Sequence, residues 1–128
     1  MIVVMPDADT GQRGYFNSIQ GDWRYEDFFF QELIPYVEKE YRIKSEKRYR
    51  AIAGLSMGGG GSFVYALRHP ELFSSACPLS AYCGPLNMED MNRYKTQNGM
   101  NNVTDAELEA YYKKHSVLYM VKNMPDNQ

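Results

Sequence analysis

The sequence contains few of the features that mark several large classes of protein. Its 128 residues include two cysteines, Cys77 and Cys83, which are too few for a disulfide-based scaffold. No apolar stretch reaches the ~18–20 residues that a membrane span needs, and "MIVVMPDAD" has no basic region of a signal peptide. The formal net charge of −2 gives no reason to expect nucleic acid or a membrane as a partner.

Metal chemistry is not indicated either, because the cysteines and the two histidines show no metal-ligand spacing. We therefore predict no metal. The glycine-rich stretch matches neither a P-loop nor a dinucleotide-binding pattern, so we predict no organic cofactor either. Apolar residues make up 44% and charged residues 23% of the chain. This composition is typical of a globular protein, and the length corresponds to one domain at most.

The first two thirds of the chain alternate between strand-like and helix-like patterns. Three short apolar segments predict buried strands at 1–9, 49–55 and 72–81. Cys77 lies in the third segment and is expected to be a buried thiol. A helix is predicted from about Tyr25, with a kink at Pro35, and a second one from about Gly59 to His69. Such alternation is typical of parallel βαβ units and predicts an α/β fold.

From residue 82 the composition changes to a polar, Met- and Asn-rich stretch. We interpret it as an excursion over the surface and "NMEDMNRY" within it as a solvated loop. Thr104 followed by Glu107 forms a capping-box pattern, which predicts a helix over residues 105–115.

Residues 54–58 read Gly-Leu-Ser-Met-Gly, a G-x-S-x-G motif between a predicted strand and a predicted helix. This context favours a tight turn that exposes Ser56, with Gly54 and Gly58 where larger side chains would clash. Ser56 is then a candidate nucleophile, and the backbone N–H of Met57 is a candidate oxyanion donor. The alternative is a glycine-rich turn with a structural serine. The three further glycines, 59–61, are expected to let the helix pack closely against the strands.

A serine nucleophile needs a base, and neither histidine is a convincing one. His69 follows Ser56 by thirteen residues and would lie about 15–20 Å away at the far end of the predicted helix. We interpret it as a helix C-terminal residue. His115 ends the predicted 105–115 helix and could fold back over the site, although nothing in the sequence requires it. The sequence thus supplies a nucleophile without an evident partner.

Four segments resemble the putative-esterase branch of the α/β-hydrolases: "MPDAD", "FFFQELIPYVEKEYRI", "RYRAIAGLSMGGGGSF" and "ALRHPELFSSACPLSA". This branch includes esterase D (S-formylglutathione hydrolase), feruloyl and acetyl-xylan carbohydrate esterases and mycolyltransferases. The resemblance extends from residue 1 to about residue 81. It implies a three-layer α/β-hydrolase core, present in part, with a mostly parallel sheet and flanking helices. It also implies that Ser56 accepts the acyl group and that the Met57 N–H contributes to the oxyanion hole.

The resemblance further implies one partial domain, residues 1–128. Residues 1–81 would form the core with the nucleophile elbow, residues 82–115 a cap-like excursion, and residues 116–128 the approach to a further strand. The family's acid, its histidine and its second oxyanion loop would then lie outside this chain. The open edges of a shortened sheet could support self-association.

The activity implied by the resemblance is that of a serine carboxylesterase on a carbohydrate-linked or aryl ester, of feruloyl or acetyl type. Tyr15, Phe16 and Trp23 follow the first predicted strand and would line the substrate pocket; alternatively, Trp23 packs at the start of its helix. Two other hypotheses stay open: a non-catalytic fragment or pseudo-hydrolase, and an S-formylglutathione hydrolase. The compartment is unknown, although a carbohydrate esterase would be secreted or periplasmic.

Overall fold

A two-stranded parallel sheet with a helix between its strands forms the centre of the fold, in a computed structural model that describes residues 1–11 and 13–125. Strand β1, Ala51–Leu55, pairs with strand β2, Ser75–Leu79, so that Ala51 lies opposite Ser75 and Leu55 opposite Leu79. Helix α3, Met57–Arg68, connects the two strands and packs on both. The predicted α/β class, with a partial parallel sheet and flanking helices, is confirmed.

The N-terminal helical run has three consecutive parts: α1 (Tyr25–Asp27), a π-helical segment (Phe28–Leu33) and α2 (Ile34–Glu40). The π-helical turns come directly before Pro35, where we predicted a kink. Proline has no N–H and its ring crowds the preceding turn, so a widened turn is one way to accommodate it. Phe29 and Phe30 from this segment pack on Tyr65 of α3, with ring centroids 4.9 Å apart in both pairs.

The segment after β2 carries three helices: α4 (Met88–Gln97), α5 (Asp105–His115) and α6 (Val117–Lys122). The expectation of a solvated loop at "NMEDMNRY" is wrong, because these residues span the start of α4. The Asn87 side chain caps this helix by accepting a bond from the Asp90 N–H, and Met91 is buried. The capping box of α5, between Thr104 and Glu107, is confirmed.

A small hydrophobic core of Met91, Met100, Val103 and Leu108 holds α4 and α5 together. Val64 and Tyr65 of α3, and Phe73 before β2, are buried as well. In the described residues, no helix is long and apolar enough to cross a membrane.

The predicted first strand is wrong for this structure, since residues 1–9 have no regular secondary structure. The apolar side chains of residues 1–5 are exposed. The backbone at the end of this segment makes local hydrogen bonds of the kind found in turns. For example, the Asp9 N–H donates to the Asp7 side chain. A strand requires a neighbouring strand to accept and donate its backbone hydrogen bonds, and β1 pairs only with β2 in the described part of the chain.

The prediction that β1 and β2 are buried is also wrong. Helix α3 covers one face of the sheet, so burial alternates along β1. Residues on the other face stay exposed, among them Leu55 and Leu79. Cys77 lies in the exposed part of β2, which corrects the expectation of a buried thiol.

Candidate active site

Ser56 occupies a strained turn between β1 and α3. Its backbone angles are φ 55° and ψ −110°, a region that a residue with a β-carbon rarely adopts. Three hydrogen bonds fix this conformation. The Ser56 N–H donates to the Leu79 carbonyl at 2.9 Å, and the Ser56 carbonyl accepts from Gly60 at 3.0 Å and from Tyr82 at 3.3 Å.

The Ser56 hydroxyl remains available for chemistry. The residue is exposed, and its Oγ makes no hydrogen bond to any residue that the structure describes. Met57 directly follows as the first residue of α3. Amides of a first helical turn have no partner within the helix and lie at the positive end of its dipole. A serine hydroxyl and unpaired amides therefore meet at one exposed turn.

Two glycines near Ser56, Gly54 and Gly59, allow another part of the backbone to approach closely. A Cβ on Gly54 would lie under 3.0 Å from the Gly58 carbonyl, closer than real Cβ atoms come. A Cβ on Gly59 would lie 2.5 Å from the Leu79 carbonyl at the end of β2. The expectation of a clash at Gly58 is wrong, because a Cβ there would meet only the Tyr15 ring at 4.0 Å. The crowding in the motif falls on Gly54.

We predicted that glycines 59–61 let the helix pack closely against the strands. This is wrong for Gly60 and Gly61, which accommodate loop residues instead. A Cβ on Gly60 would collide with the Tyr82 carbonyl, and one on Gly61 would lie 2.9 Å from the Tyr15 ring. Successive helical residues are about 100° apart around the axis. Gly58 and Gly61 therefore lie on one side of α3, facing Tyr15, while Gly59 and Gly60 lie on the opposite side, facing the segment 79–82.

Of the three predicted pocket residues, the structure places Tyr15 beside this turn. The Tyr65 hydroxyl donates to the Tyr15 carbonyl and holds the loop on α3. Phe16 lies further from the turn, packed on Tyr65 and on the ring of His115 at a centroid distance of 4.9 Å. The Trp23 Nε1–H donates to the Gly14 carbonyl at 2.9 Å and so closes the same loop.

The structure directs both histidines away from Ser56. In His115, Nδ1 lies 2.9 Å from the Tyr111 carbonyl, and Nε2 lies 3.3 Å from the Arg68 guanidinium and 3.7 Å from the Glu26 carboxylate. His69 has its Nδ1 3.3 Å from Glu71. Within the described part of the chain, neither histidine contacts Ser56.

Glu26, Arg68 and His115 form a buried cluster at the far end of α3, which we call the Glu26 cluster. Glu26 pairs with Arg68, and the side chains of Glu26 and His115 are almost fully buried. Burial alone would raise the pKa of Glu26, but the adjacent His115 ring and the charge of Arg68 outweigh it. The pKa of Glu26 therefore lies below its ordinary value of 4.5.

Two residues near Ser56 were missed by our sequence predictions. Ser80 follows β2 as Ser56 follows β1, and it too has a positive φ, of 43°. Tyr82 comes two residues later and binds the Ser56 carbonyl through its N–H. The available signal was topological, because the carboxyl ends of parallel strands meet at one edge of a sheet.

Comparisons with a family model and with curated proteins both identify esterases as relatives of this chain. A family model described as "Putative esterase" matches residues 1–127. Esterase Rv1288 of Mycobacterium tuberculosis is 36% identical over 92 residues, which are 69% of this chain and 19% of that protein. An endo-1,4-beta-xylanase/feruloyl esterase of Xylanibacter ruminicola is 45% identical over 67 residues, 52% of this chain and 9% of that protein.

Solved structures give the same result. A ferulic acid esterase superposes with a TM-score of 0.62 at 32% identity, covering 89% of this chain and 39% of that one. An S-formylglutathione hydrolase of Staphylococcus aureus superposes with a TM-score of 0.51 at 28% identity, covering 77% and 34%. The chain thus spans about a fifth of Rv1288 and about two fifths of the ferulic acid esterase.

Proposed function

The chain belongs to the putative esterase family, and from this premise we propose that it carries the nucleophile of a serine carboxylesterase, Ser56. The preferred substrate is a carbohydrate-linked or aryl ester of feruloyl or acetyl type. One observation carries the proposal: an exposed serine whose hydroxyl no described residue binds, held at positive φ on a turn between a strand and a helix N-terminus.

The reaction would proceed in two steps through an acyl-enzyme. Ser56 Oγ attacks the ester carbonyl carbon while its proton passes to a general base, and the tetrahedral oxyanion is held in part by the Met57 N–H. The C–O bond to the alcohol then breaks, and the alcohol leaves with the proton. Water attacks the acyl-serine, releases the acid and restores the Ser56 hydroxyl.

The general base is assigned to neither histidine of this chain. His115 is buried within the Glu26 cluster, beside Glu26 and Arg68, and His69 lies against Glu71. We propose that a histidine outside these residues completes the site. This fits the fact that the chain covers 39% of the superposed ferulic acid esterase.

Two relatives support the ring-bearing substrate. The superposed structure is a ferulic acid esterase, and a second relative is a xylanase/feruloyl esterase. Tyr15 offers an aromatic side chain next to the Ser56 turn, packed on Gly58 and Gly61. An aromatic side chain at that position suits a phenolic ring or the apolar face of a sugar.

A second candidate is S-formylglutathione hydrolase activity, favoured by the superposition on the S. aureus enzyme. A third is a non-catalytic role, favoured by the absence of any histidine contact to Ser56 within the described residues.

Active-site labelling tests the proposal. In the protein that includes the completing histidine, exposure to a fluorophosphonate probe should modify Ser56, as located by mass spectrometry of peptides, and Ser56→Ala should abolish the adduct. Ser75→Ala is the matched control, because Ser75 is also exposed but starts β2 at the opposite end of the sheet.

Hydrolysis of p-nitrophenyl acetate should fall to background in Ser56→Ala. Methyl ferulate, acetylated xylan and S-formylglutathione then rank the substrates. Labelling and hydrolysis that persist in Ser56→Ala would refute the nucleophile, and an unlabelled, inactive protein that includes the completing histidine would favour the non-catalytic role.

A further inference from the structure

Tyr82 is an exposed aromatic residue whose backbone is fixed beside the candidate nucleophile. Its N–H donates to the Ser56 carbonyl, and its own carbonyl lies where a side chain on Gly60 would be. Its side chain nevertheless remains 69% exposed. The residue is thus anchored through its main chain, while its ring remains free.

The ring of Tyr82 has no structural role in the described part of the chain. Among the residues that the structure describes, no aromatic ring pairs with the ring of Tyr82. None of them forms a hydrogen bond with its hydroxyl. By contrast, Tyr15 packs on Tyr25 and Tyr112 donates to the Leu86 carbonyl. Packing within the fold therefore does not account for an aromatic residue at position 82.

Tyr15 and the Tyr82 segment flank the Ser56 turn from opposite sides. Gly61 and Gly58 face Tyr15, whereas Gly60 faces Tyr82, and these positions lie on opposite sides of the first turns of α3. The turn that carries Ser56 is therefore flanked by two segments, each of which carries a tyrosine.

We propose that Tyr82 is a specificity-determining residue that packs against a planar aromatic ring of the ester bound at Ser56. The proposal rests on the proposed esterase function. An exposed tyrosine offers a large apolar face with few rotatable bonds, and its fixed backbone reduces the conformational entropy lost on binding. The ring could belong to the acyl group or to the alcohol, and substrates of the two kinds distinguish these sources.

The test compares three variants in the same chain. Tyr82→Ala removes the ring and Tyr82→Phe keeps it. Tyr36→Ala removes another exposed tyrosine, 58% exposed, on α2. Tyr36 is a suitable control because its helix lies at the other end of the sheet from Ser56. Glu38 of the same helix forms an ion pair with Arg50, which directly precedes β1.

Binding is measured first, in a Ser56→Ala background, so that catalysis is not needed. Titrations with methyl ferulate and with phenyl acetate are followed by NMR chemical shifts. We expect Tyr82→Ala to weaken binding of one of the two esters about fivefold, with Tyr82→Phe and Tyr36→Ala unchanged. The ester that is affected identifies the acyl or the alcohol ring.

Kinetics with Ser56 intact, in the protein that includes the completing histidine, give the second readout. Tyr82→Ala should raise KM for the affected ester by the same factor, with kcat within about twofold. For ethyl acetate, which has no ring, KM should not change. Equal thermal melts of Tyr82→Ala and the parent chain would show that the fold is retained.

The proposal is overturned if Tyr82→Ala binds both ring esters as tightly as the parent, if the parent binds neither, or if ethyl acetate is affected equally. The outcomes that overturn the ring site can be told apart from those that overturn the esterase proposal. An unlabelled Ser56 together with Tyr82-dependent ring binding would refute the esterase proposal and leave the ring site standing. A reactive Ser56 with unchanged Tyr82→Ala would do the reverse.

Discussion

Helix α3 begins next to an exposed serine and ends at a buried ion pair. At its start, Ser56 has a positive φ and a hydroxyl that no described residue binds. At its end, Arg68 pairs with Glu26 and lies 3.3 Å from His115. Both places hold polar groups, but only the second is shielded from water.

The difference shows what each end requires of its neighbours. Buried charges must be paired, since an uncompensated charge in the interior costs several kcal/mol. Glu26, Arg68 and His115 come from α1, α3 and α5, so their pairing also ties the 82–115 segment to the core. The Ser56 end has no such need, because solvent or a substrate can satisfy its hydroxyl.

The largest expected effect comes from Ser56→Gly, which should separate stability from activity. Glycine adopts positive φ without strain, so the free energy of unfolding should rise by about 1 kcal/mol. Esterase activity should fall by about a thousandfold or more, because the nucleophile is gone. Urea unfolding and ester hydrolysis are measured on the same preparation.

Ser56→Ala is the control for that variant, since alanine removes the hydroxyl but retains the strain. A Ser56→Gly protein less stable than Ser56→Ala would show that the positive φ does not strain the fold.

A smaller effect is expected from breaking the buried end. Glu26→Ala should lower the free energy of unfolding by about 3 kcal/mol, because it leaves Arg68 without its carboxylate. Glu109→Ala, which removes an exposed partner of Lys113, should cost at most about 0.5 kcal/mol. Chemical denaturation measures both variants.

Reactivity of Ser56 toward the fluorophosphonate probe should persist in the folded fraction of Glu26→Ala. Loss of that reactivity, or equal destabilisation by the two glutamate variants, would contradict the contrast between the two ends of α3.

The smallest effect is a pH dependence at the buried end. Because the folded-state pKa of Glu26 is below 4.5, its contribution to stability is present above that pH. This contribution is lost as the pH falls from about 4.5 through the folded-state pKa. Glu26→Gln cannot titrate, so its stability should decline less steeply with acid. Arg68, His115, Tyr65 and Tyr111 face the carboxylate and are unchanged in this comparison.

Urea unfolding of both proteins between about pH 6 and about pH 3 provides the measurement. Parallel curves would show that Glu26 has the same pKa in the folded and unfolded chains.

Local sequence signals predicted the elements around Ser56 well. The strand before it, the helix after it and the strand at 75–79 all follow from short apolar patterns and glycine positions. The helix at 105–115 was likewise predicted by the capping box at Thr104. In each case the deciding residues lie within one turn or one strand of the feature.

The errors concern features that depend on distant partners. Whether residues 1–9 form a strand depends on a neighbouring strand, which no local pattern shows. The surroundings of His115 depend on Glu26 and Arg68, which are far away in sequence. Helix α4 is an exception, since Asn87 with Glu89 and Asp90 was a readable N-terminal signal within a polar stretch.

The run of glycines at 58–61 has a consequence for engineering this fold. Because these residues have no side chains, the surroundings of Ser56 come from Tyr15 and from the segment 79–82, which are remote from each other in sequence. Because these segments hold the turn and α3 through main-chain atoms, their side chains can be exchanged by grafting while those backbone contacts and the turn that holds Ser56 are kept. We expect substrate preference to be transferable between esterases of this architecture by such loop grafts.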